Sequence, residues 1–311
     1  MSSILLDICG ILLSIIVLWK GADYLIEAAS KVAKKHNISE SVIGLTILAF
    51  GTSLPEFLVS ISAALMGSAN ISVGNVIGSN IFNLGFILGI SALISPIFIK
   101  KDILFRDIPY FIFTSFLFFL LGLDSFLSRL DGLILLFSFI IFIYLLIKTH
   151  ASFEEEEIEN IIISNVNIFT YFIIVLSLLA LIISSKFLVY FSKDLALKLG
   201  ISDWIIGSTI VAAGTSFPEF ITSLVAALKR KHSMSIGNIL GSNIFNTTLV
   251  LGSASLIKPM FVKKEAILGS LLLALMGFYL FIVGYKAKVL NRLYASILLL
   301  LGMVSYYYVI T

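Results

Sequence analysis

Charged side chains are scarce in this sequence of 311 residues. Only 13% are Asp, Glu, Lys or Arg, whereas 59% are apolar, and the mean hydropathy is +1.10. Soluble proteins carry roughly 25% charged residues. This chain has too few polar groups to cover a water-exposed surface, which excludes an ordinary soluble protein. Its net charge of +3 is also too small to indicate a nucleic-acid partner.

Cysteine and histidine are nearly absent as well. The only cysteine, Cys9, lies in an apolar run, which excludes an intrachain disulfide and a cysteine-based metal cluster. The three histidines, His36, His150 and His232, fall in polar stretches and are interpreted as solvated. The N-terminus lacks a basic segment and contains Asp7, so we do not interpret it as a signal peptide.

Long apolar runs are abundant. Runs of roughly 20 residues, the length that a helix needs to cross a bilayer, recur along the whole chain. Lipid offers the backbone no hydrogen-bond partners, so each run is predicted to be a helix. The sequence predicts an all-α integral membrane protein with ten transmembrane helices: Ile4–Glu27, Ser39–Met66, Ser72–Ile94, Phe105–Gly122, Leu130–Ile147, Ile168–Tyr190, Ser202–Leu228, Ser235–Ile257, Ala266–Tyr285 and Leu293–Ile310.

An internal repeat organises these spans. Residues 38–101 align without a gap with residues 201–264, and 34 of the 64 positions are identical. The blocks GTSxPEF and GNxxGSNIFN occur in both copies. Chance similarity between apolar helices would match scattered Leu and Ile residues, not polar blocks in register.

The repeat predicts three parts: a five-helix half over residues 1–148, a short acidic linker over 149–167 and a second half over 168–311. Five is an odd number, so the second half enters the membrane upside down relative to the first. Inverted repeats are typical of secondary transporters, whose binding sites lie near the membrane midplane where the halves meet.

Glu56 and Glu219 are the clearest acids deep within predicted spans. A charge at that depth costs at least about 2.5–3.5 kcal/mol, and neither repeated block contains Lys or Arg to pair with it. A single glutamate could be protonated and join two helices, but a symmetric pair in matching blocks indicates binding of mobile cations. Pro55 and Pro218 lack a backbone N–H and free the carbonyls of Gly51 and Gly214, so both helices are predicted to break.

Neutral oxygen atoms surround both acids. Carbonyls at Ala49–Thr52 and Ala212–Thr215 can face a cation, and side-chain oxygens come from Thr52, Thr215, Ser79, Ser242, Asn83 and Asn246. A set of oxygen ligands suits hard ions such as Ca²⁺ and Na⁺. Gly44, Gly207, Gly78 and Gly241, and mainly also Asn80 and Asn243, are interpreted as helix-packing residues.

The distribution of Lys and Arg favours placing both termini outside the cell. The segments that are then cytoplasmic hold 13 of these residues: Lys31, Lys34, Lys35, Lys100, Lys101, Arg106, Lys148, Lys229, Arg230, Lys231, Lys286, Lys288 and Arg292. The outer segments hold six: Arg129, Lys193, Lys198, Lys258, Lys263 and Lys264.

The paired GTSxPE and GNxxGSNIFN blocks resemble the α-repeat motifs of the calcium/cation antiporter superfamily, in its sodium/calcium exchanger branch. The resemblance covers essentially the whole chain. It implies a cell-membrane antiporter that exchanges Ca²⁺ for Na⁺ by alternating access. It implies neither enzyme activity, nor a cofactor, nor an obligatory protein partner.

The resemblance also implies a set of ion sites. The calcium site would use Glu56, Glu219 and the main-chain carbonyls of Thr52 and Thr215. One sodium site would use the Ala49 carbonyl, Ser79 and Glu56, and the other the Ala212 carbonyl, Ser242 and Glu219, while Asn83 and Asn246 would line the middle.

Departures from the patterns of related branches select among alternatives. Potassium-dependent exchangers typically carry an acid at the position of Asn246, and cation/proton exchangers typically carry a glutamate after the GN pair, where this chain has Val76. The first departure argues against potassium co-transport and the second against coupling to protons, with H⁺/Ca²⁺ exchange kept as the alternative. Two alternatives come from other functional classes. One is an intramembrane aspartyl protease, which also uses two carboxylates on separate spans, and the other is a passive calcium channel. The linker acids from Glu154 to Glu159 predict a solvated loop, or a weak regulatory calcium site.

Overall fold

The structure, a computed structural model, describes residues 2–67, 69–150, 166–200 and 212–310, and it is mostly helical. The linker acids, Gly207 and the first part of the predicted seventh span lie outside these residues. In the first half the α-helices are α1 (Ser2–Lys35), α2 (Glu40–Ile43), α3 (Ala49–Thr52), α4 (Leu54–Leu65), α5 (Ala69–Ile81), α6 (Leu88–Ile94), α7 (Ile108–Leu121) and α8 (Arg129–His150). Wider π-helical turns occur at π1 (Gly44–Leu48), π2 (Phe82–Ile87) and π3 (Ile103–Asp107).

The second half repeats much of this order. Its α-helices are α9 (Ile168–Lys198), α10 (Ala212–Gly214), α11 (Phe217–Leu228), α12 (His232–Phe245), α13 (Leu251–Ile257), α14 (Lys264–Ala287) and α15 (Arg292–Ile310), with a π-helical turn, π4 (Asn246–Val250), between α12 and α13. The turns π2 and π4 occupy equivalent places in the two repeats. Single π-helical turns of this kind are frequent at functional sites.

Many helices are suited to a membrane. Among the described residues, seven are long and apolar enough to span a bilayer, or eight if the bent pair Glu40–Thr52 and Leu54–Leu65 counts as one span. Their outer faces carry large apolar side chains such as Leu13, Phe137 and Ile147, which are 63%, 63% and 72% exposed. A continuous apolar exterior of this kind is suited to contact with lipid chains.

The two longest helices, α1 and α9, pack against each other in an antiparallel arrangement. Near one end Lys198 Nζ lies 2.6 Å from Asp7 Oδ2, and at the other Lys35 Nζ donates to the Val166 carbonyl at 2.8 Å. Lys35 and Lys198 are the last residues of α1 and α9. Both helices therefore continue for about two turns beyond the predicted span ends, Glu27 and Tyr190, and lysines are favourable in the last turn of a helix.

Four two-residue strands depart from the predicted all-α class: β1 (Ile97–Phe98), β2 (Phe126–Leu127), β3 (Met260–Phe261) and β4 (Val289–Leu290). The strand β1 pairs antiparallel with β4, and β2 pairs antiparallel with β3. Each sheet therefore joins the two halves. The strands follow the 163-residue offset of the repeat, since β3 is the equivalent of β1 and β4 that of β2.

Close helix contacts in the centre depend on glycine. A Cβ on Gly44 would lie 2.8 Å from the Met234 carbonyl oxygen, and one on Gly241 would lie 2.7 Å from the Leu45 Cα. These contacts confirm the packing role predicted for both glycines, whereas the same prediction for Gly78 was wrong, because no atom lies within 4 Å of where its Cβ would be. They bring π1, in the first half, directly against α12, in the second.

Candidate cation-binding site

Two helix breaks place the central glutamates. The helix α3 ends at Thr52 and α4 begins at Leu54, with Pro55 in its first turn, where a missing N–H removes no helix bond. The axes on either side of this break differ by 49°. In the second half α10 ends at Gly214 and α11 begins at Phe217. The predicted breaks are confirmed, and both first turns carry the glutamate.

Glu56 and Glu219 are fully buried, and each is held by the opposite half. Ser53 Oγ donates to Glu219 Oε1 at 2.8 Å, and Ser216 Oγ donates to Glu56 Oε1 at 3.0 Å. Each serine stands three residues before the glutamate of its own half. The reciprocal bonds therefore bring both carboxylates to the junction of the two breaks.

Each carboxylate keeps one oxygen unused. Glu56 Oε2 and Glu219 Oε2 are buried and have no hydrogen-bond partner. The hydrogen bonds to their Oε1 atoms come from serine hydroxyls, and within the described residues no basic side chain forms an ion pair with either carboxylate. Two buried charges without a counter-ion cost several kcal/mol each, so the arrangement is suited to binding positive charge.

Two further buried oxygens come from the π-helical turns. Asn83 lies in π2 and Asn246 opens π4, and both side chains are fully buried. Their Nδ2 groups donate to Asn243 Oδ1 and Asn80 Oδ1 at 3.0 and 3.1 Å. Their own Oδ1 atoms have no partner.

Among the remaining predicted ligands, some atoms already form hydrogen bonds within the protein and others do not. The Ala49 carbonyl already accepts the Ser53 N–H at 3.0 Å and the Thr52 hydroxyl at 3.4 Å. Thr215 Oγ1 and Ser242 Oγ are buried without a partner. Ser79 is 5% exposed, and Ala212 begins α10, although its side chain lies outside the described part of the chain.

Sequence reasoning missed four supporting residues. Ser53 and Ser216 were not singled out, although both lie in the repeated GTSxPE block. Asn75 donates to the Glu56 carbonyl at 3.3 Å and to Ser60 Oγ at 3.0 Å, and Asn238 donates to Ser223 Oγ at 2.9 Å. The sequence feature that could have identified these four residues is the repetition of polar residues at equivalent positions in the two halves.

The donor set consists of oxygen atoms. Within the described residues no group of three or more His, Cys, Asp or Glu side chains could hold a metal ion. A cation near the two glutamates can take its other ligands from hydroxyl, amide and main-chain oxygens or from water. Hard cations such as Ca²⁺ and Na⁺ prefer such ligands, whereas softer metals prefer nitrogen or sulfur.

Fold and site together define a multi-span membrane protein with two buried acids at the junction of related halves. The family model described as sodium/calcium exchanger protein matches residues 6–148 and again residues 169–311. The chain belongs to this family. Both the starts and the ends of the two matches are 163 residues apart, the offset of the internal repeat.

Individual relatives agree with this assignment. The chain is 32% identical to the sodium/calcium exchanger MaX1 of Methanosarcina acetivorans, over 83% of this chain and 85% of the relative. It is 36% identical to the putative antiporter CaxA of Alkalimonas amylolytica, over 82% of each. A solved structure of the sodium-calcium exchanger NCX_Mj, soaked with zero Na⁺ and Ca²⁺, superposes with a TM-score of 0.85 at 32% identity, covering 97% of this chain and 98% of that one.

Proposed function

We propose that this member of the sodium/calcium exchanger family exchanges Ca²⁺ for Na⁺ by alternating access, independently of K⁺ and with net movement of charge. The observation that carries the proposal is the set of four buried oxygens without partners: Glu56 Oε2, Glu219 Oε2, Asn83 Oδ1 and Asn246 Oδ1. Two carboxylate and two amide oxygens are typical ligands of Ca²⁺.

The ligands are assigned as the family resemblance implies. Ca²⁺ binds Glu56, Glu219 and the main-chain carbonyls of Thr52 and Thr215, with Asn83 and Asn246 lining the middle. Na⁺ binds on either side, where the ligands are the Ala49 carbonyl, Ser79 and Glu56 on one side and the Ala212 carbonyl, Ser242 and Glu219 on the other. The unpartnered Ser242 hydroxyl supports the second sodium site.

Electrostatics explains why transport is an exchange. Two ionised glutamates give the centre a charge of −2. One Ca²⁺ neutralises it, as do two Na⁺ ions, and a third Na⁺ leaves +1. An empty centre would carry uncompensated charge through the occluded state, which is costly in a low-dielectric interior. The protein therefore changes orientation only when loaded. Exchange of one Ca²⁺ for two Na⁺ would be electrically neutral, so the net movement of charge proposed above requires a third Na⁺ for each Ca²⁺.

The topology proposed for this function is ten spans in two inverted halves, over residues 1–148 and 168–311, joined by the linker 149–167. In a ten-span path β1 and β4 fall on one side of the membrane and β2 and β3 on the other. The observed pairs, β1 with β4 and β2 with β3, obey this rule. The ion pair between Lys231 and Glu40 also agrees with this path, because both residues fall on the same side of the membrane as β1.

Both termini are proposed to lie outside the cell, from the bias in Lys and Arg. Arg106 is buried against Asp107, with Nε and Oδ1 2.6 Å apart. Without Arg106 in the count, the cytoplasmic segments still hold more Lys and Arg residues than the outer segments. The orientation can be tested with single cysteines in a Cys9→Ser background. A membrane-impermeant maleimide should label Asp124→Cys in intact cells, and Lys288→Cys only after permeabilisation. The opposite pattern would reverse the orientation.

The exchange is tested by ⁴⁵Ca²⁺ uptake into proteoliposomes loaded with Na⁺, K⁺ or acidic buffer. Uptake should require internal Na⁺ and should change with the membrane potential when K⁺ and valinomycin set it. Uptake driven only by the proton gradient would establish the H⁺/Ca²⁺ alternative. Uptake without any loaded cation gradient would identify a passive channel.

A further inference from the structure

Asn80 and Asn243 clasp each other across the junction of the two halves. Both are fully buried. Asn80 Nδ2 donates to the main-chain carbonyl of Asn243 at 3.2 Å, and Asn243 Nδ2 donates to the main-chain carbonyl of Asn80 at 3.1 Å. A carbonyl oxygen can only accept, so these bonds fix which end of each amide faces the opposite helix.

This clasp determines the orientation of the next two amides. With their NH₂ groups committed, Asn80 and Asn243 turn their Oδ1 atoms towards Asn246 and Asn83. An oxygen can only accept, so Asn246 and Asn83 donate their NH₂ groups to it. The Oδ1 atoms of Asn83 and Asn246 are thereby left buried and without partners.

We propose that Asn80 and Asn243 are positioning residues that make Asn83 and Asn246 present oxygen, rather than NH₂, to the transported cation. This inference rests on the proposed function, because it concerns the middle of the same site. An amide turned by 180° would point two N–H donors at a cation and repel it. The clasp therefore selects for positive ions without adding charge to the centre.

The clasp is stronger on one side. Asn80 Nδ2 also donates to Thr247 Oγ1 at 2.9 Å, whereas the first-half equivalent of Thr247 is Leu84, which has no hydroxyl. Replacing Thr247 removes a hydrogen bond from Asn80 but leaves the bond to the Asn243 carbonyl, so the amide stays oriented. Thr247→Val is therefore a matched control, expected to change the half-saturating Ca²⁺ concentration less than about twofold.

A double-mutant cycle separates positioning from packing. Asn80→Leu keeps the branched arrangement of side-chain heavy atoms but removes the oxygen that holds the Asn246 amide, and should raise the half-saturating Ca²⁺ concentration about tenfold. Asn246→Asp makes both terminal atoms oxygen, so no orientation is needed. In that background Asn80→Leu should change the value less than about twofold, because the two effects are coupled.

The mirror cycle, Asn243→Leu with Asn83→Asp, should behave alike. Equal losses from the leucine substitution in both backgrounds would assign the pair to packing and overturn the proposal. The proposal would also be overturned if Asn80→Leu and Asn243→Leu failed to fold both alone and combined with the aspartate substitutions. If the unmodified protein neither bound nor transported Ca²⁺, the proposed function itself would fail, so the two failures are distinguishable.

Discussion

The hydroxyl of Ser53 lies 2.8 Å from Oε1 of Glu219, although the two residues belong to different halves of the chain. The equivalent bond joins Ser216 to Glu56 at 3.0 Å. Neither half thus completes the environment of its own acid. A change in the relative position of the halves alters both carboxylates together, which is what coupling of ion binding to a conformational change requires.

The two central acids should be essential for exchange but not for folding. Glu56→Gln and Glu219→Gln remove one negative charge each and replace an oxygen ligand by NH₂, so we expect ⁴⁵Ca²⁺ exchange to fall by at least about 100-fold, since a cation loses both a charge and a ligand. Loss of a buried charge should leave the thermal midpoint without ions equal or higher.

The matched control for these variants is Glu265→Gln, in the exposed first turn of α14. It should retain exchange, and Ca²⁺ should still raise its thermal midpoint, because a bound ligand stabilises the folded state. Normal exchange by either central variant would contradict the assigned site.

The serines that hold the acids should set affinity. Ser53→Ala or Ser216→Ala removes a hydrogen bond to a charged group, an interaction of about 1.5–3 kcal/mol. We therefore expect weaker apparent Ca²⁺ affinity, by about tenfold or more, and similar losses from the two variants because their environments are equivalent. Concentration dependence of ⁴⁵Ca²⁺ uptake measures this directly.

Ser270→Ala provides the control for the serine variants, because its hydroxyl donates to the carbonyl of Ile267 in its own helix, at 2.7 Å. Its apparent affinity should match that of the unmodified protein. An unchanged affinity in both Ser53→Ala and Ser216→Ala would show that these bonds do not shape the site.

Close packing at Gly241 should be required for assembly. A Cβ there would lie 2.7 Å from both the Cα and the carbonyl oxygen of Leu45, which are backbone atoms that cannot turn aside. We expect Gly241→Ala to separate α12 from π1, lower the thermal midpoint and reduce exchange.

Gly21→Ala is the comparison for Gly241→Ala, since the nearest atoms to its Cβ would be 3.5 Å away. Alanine favours a helix over glycine by about 0.8–1 kcal/mol, so the thermal midpoint should be equal or higher. A midpoint for Gly241→Ala equal to that of Gly21→Ala would exclude a special contact at this position.

The ion pair between the two longest helices should contribute to stability. Asp7 is fully buried, and its second oxygen has no partner. Lys198→Gln leaves that charge without its nearest counter-ion, which is unfavourable, and should lower the thermal midpoint by several degrees. Adding Asp7→Asn should recover most of the loss.

Lys31→Gln is the control, because Lys31 and Glu27 form a pair on an exposed surface, 3.2 Å apart. Exposed pairs contribute little to stability, and the midpoint should hardly change. Equal losses in Lys198→Gln and Lys31→Gln would show that burial of Asp7 is unimportant.

The repeat made much of the site predictable. Polar blocks in register identified Glu56 and Glu219 as a pair, and Pro55 and Pro218 identified the helix breaks. The crossed bonds from Ser53 to Glu219 and from Ser216 to Glu56 could not be predicted, because a repeat reveals which positions are equivalent but not which ones touch.

Local pattern also failed at the edges of the fold. Strands of two residues are too short for a period-two pattern, so β1 to β4 left no signal. The helix α1 extends beyond its predicted span because Lys31, Lys34 and Lys35 interrupt the apolar run without interrupting the helix. Hydropathy measures contact with lipid, and a helix can continue beyond it.

The shared sheets have a consequence for biosynthesis. Translation proceeds from the N-terminus, so β1 and β2 leave the ribosome before their partners β3 and β4 exist. Ile97 pairs with Leu290, which is synthesised 193 residues later. The helices of the first half can insert early, but β1 and β2 stay unpaired until their partner strands in the second half have been made. A product truncated before Val289 would insert into the membrane without the sheet of β1 and β4. Its unpaired β1 strand would then be exposed to quality-control proteases.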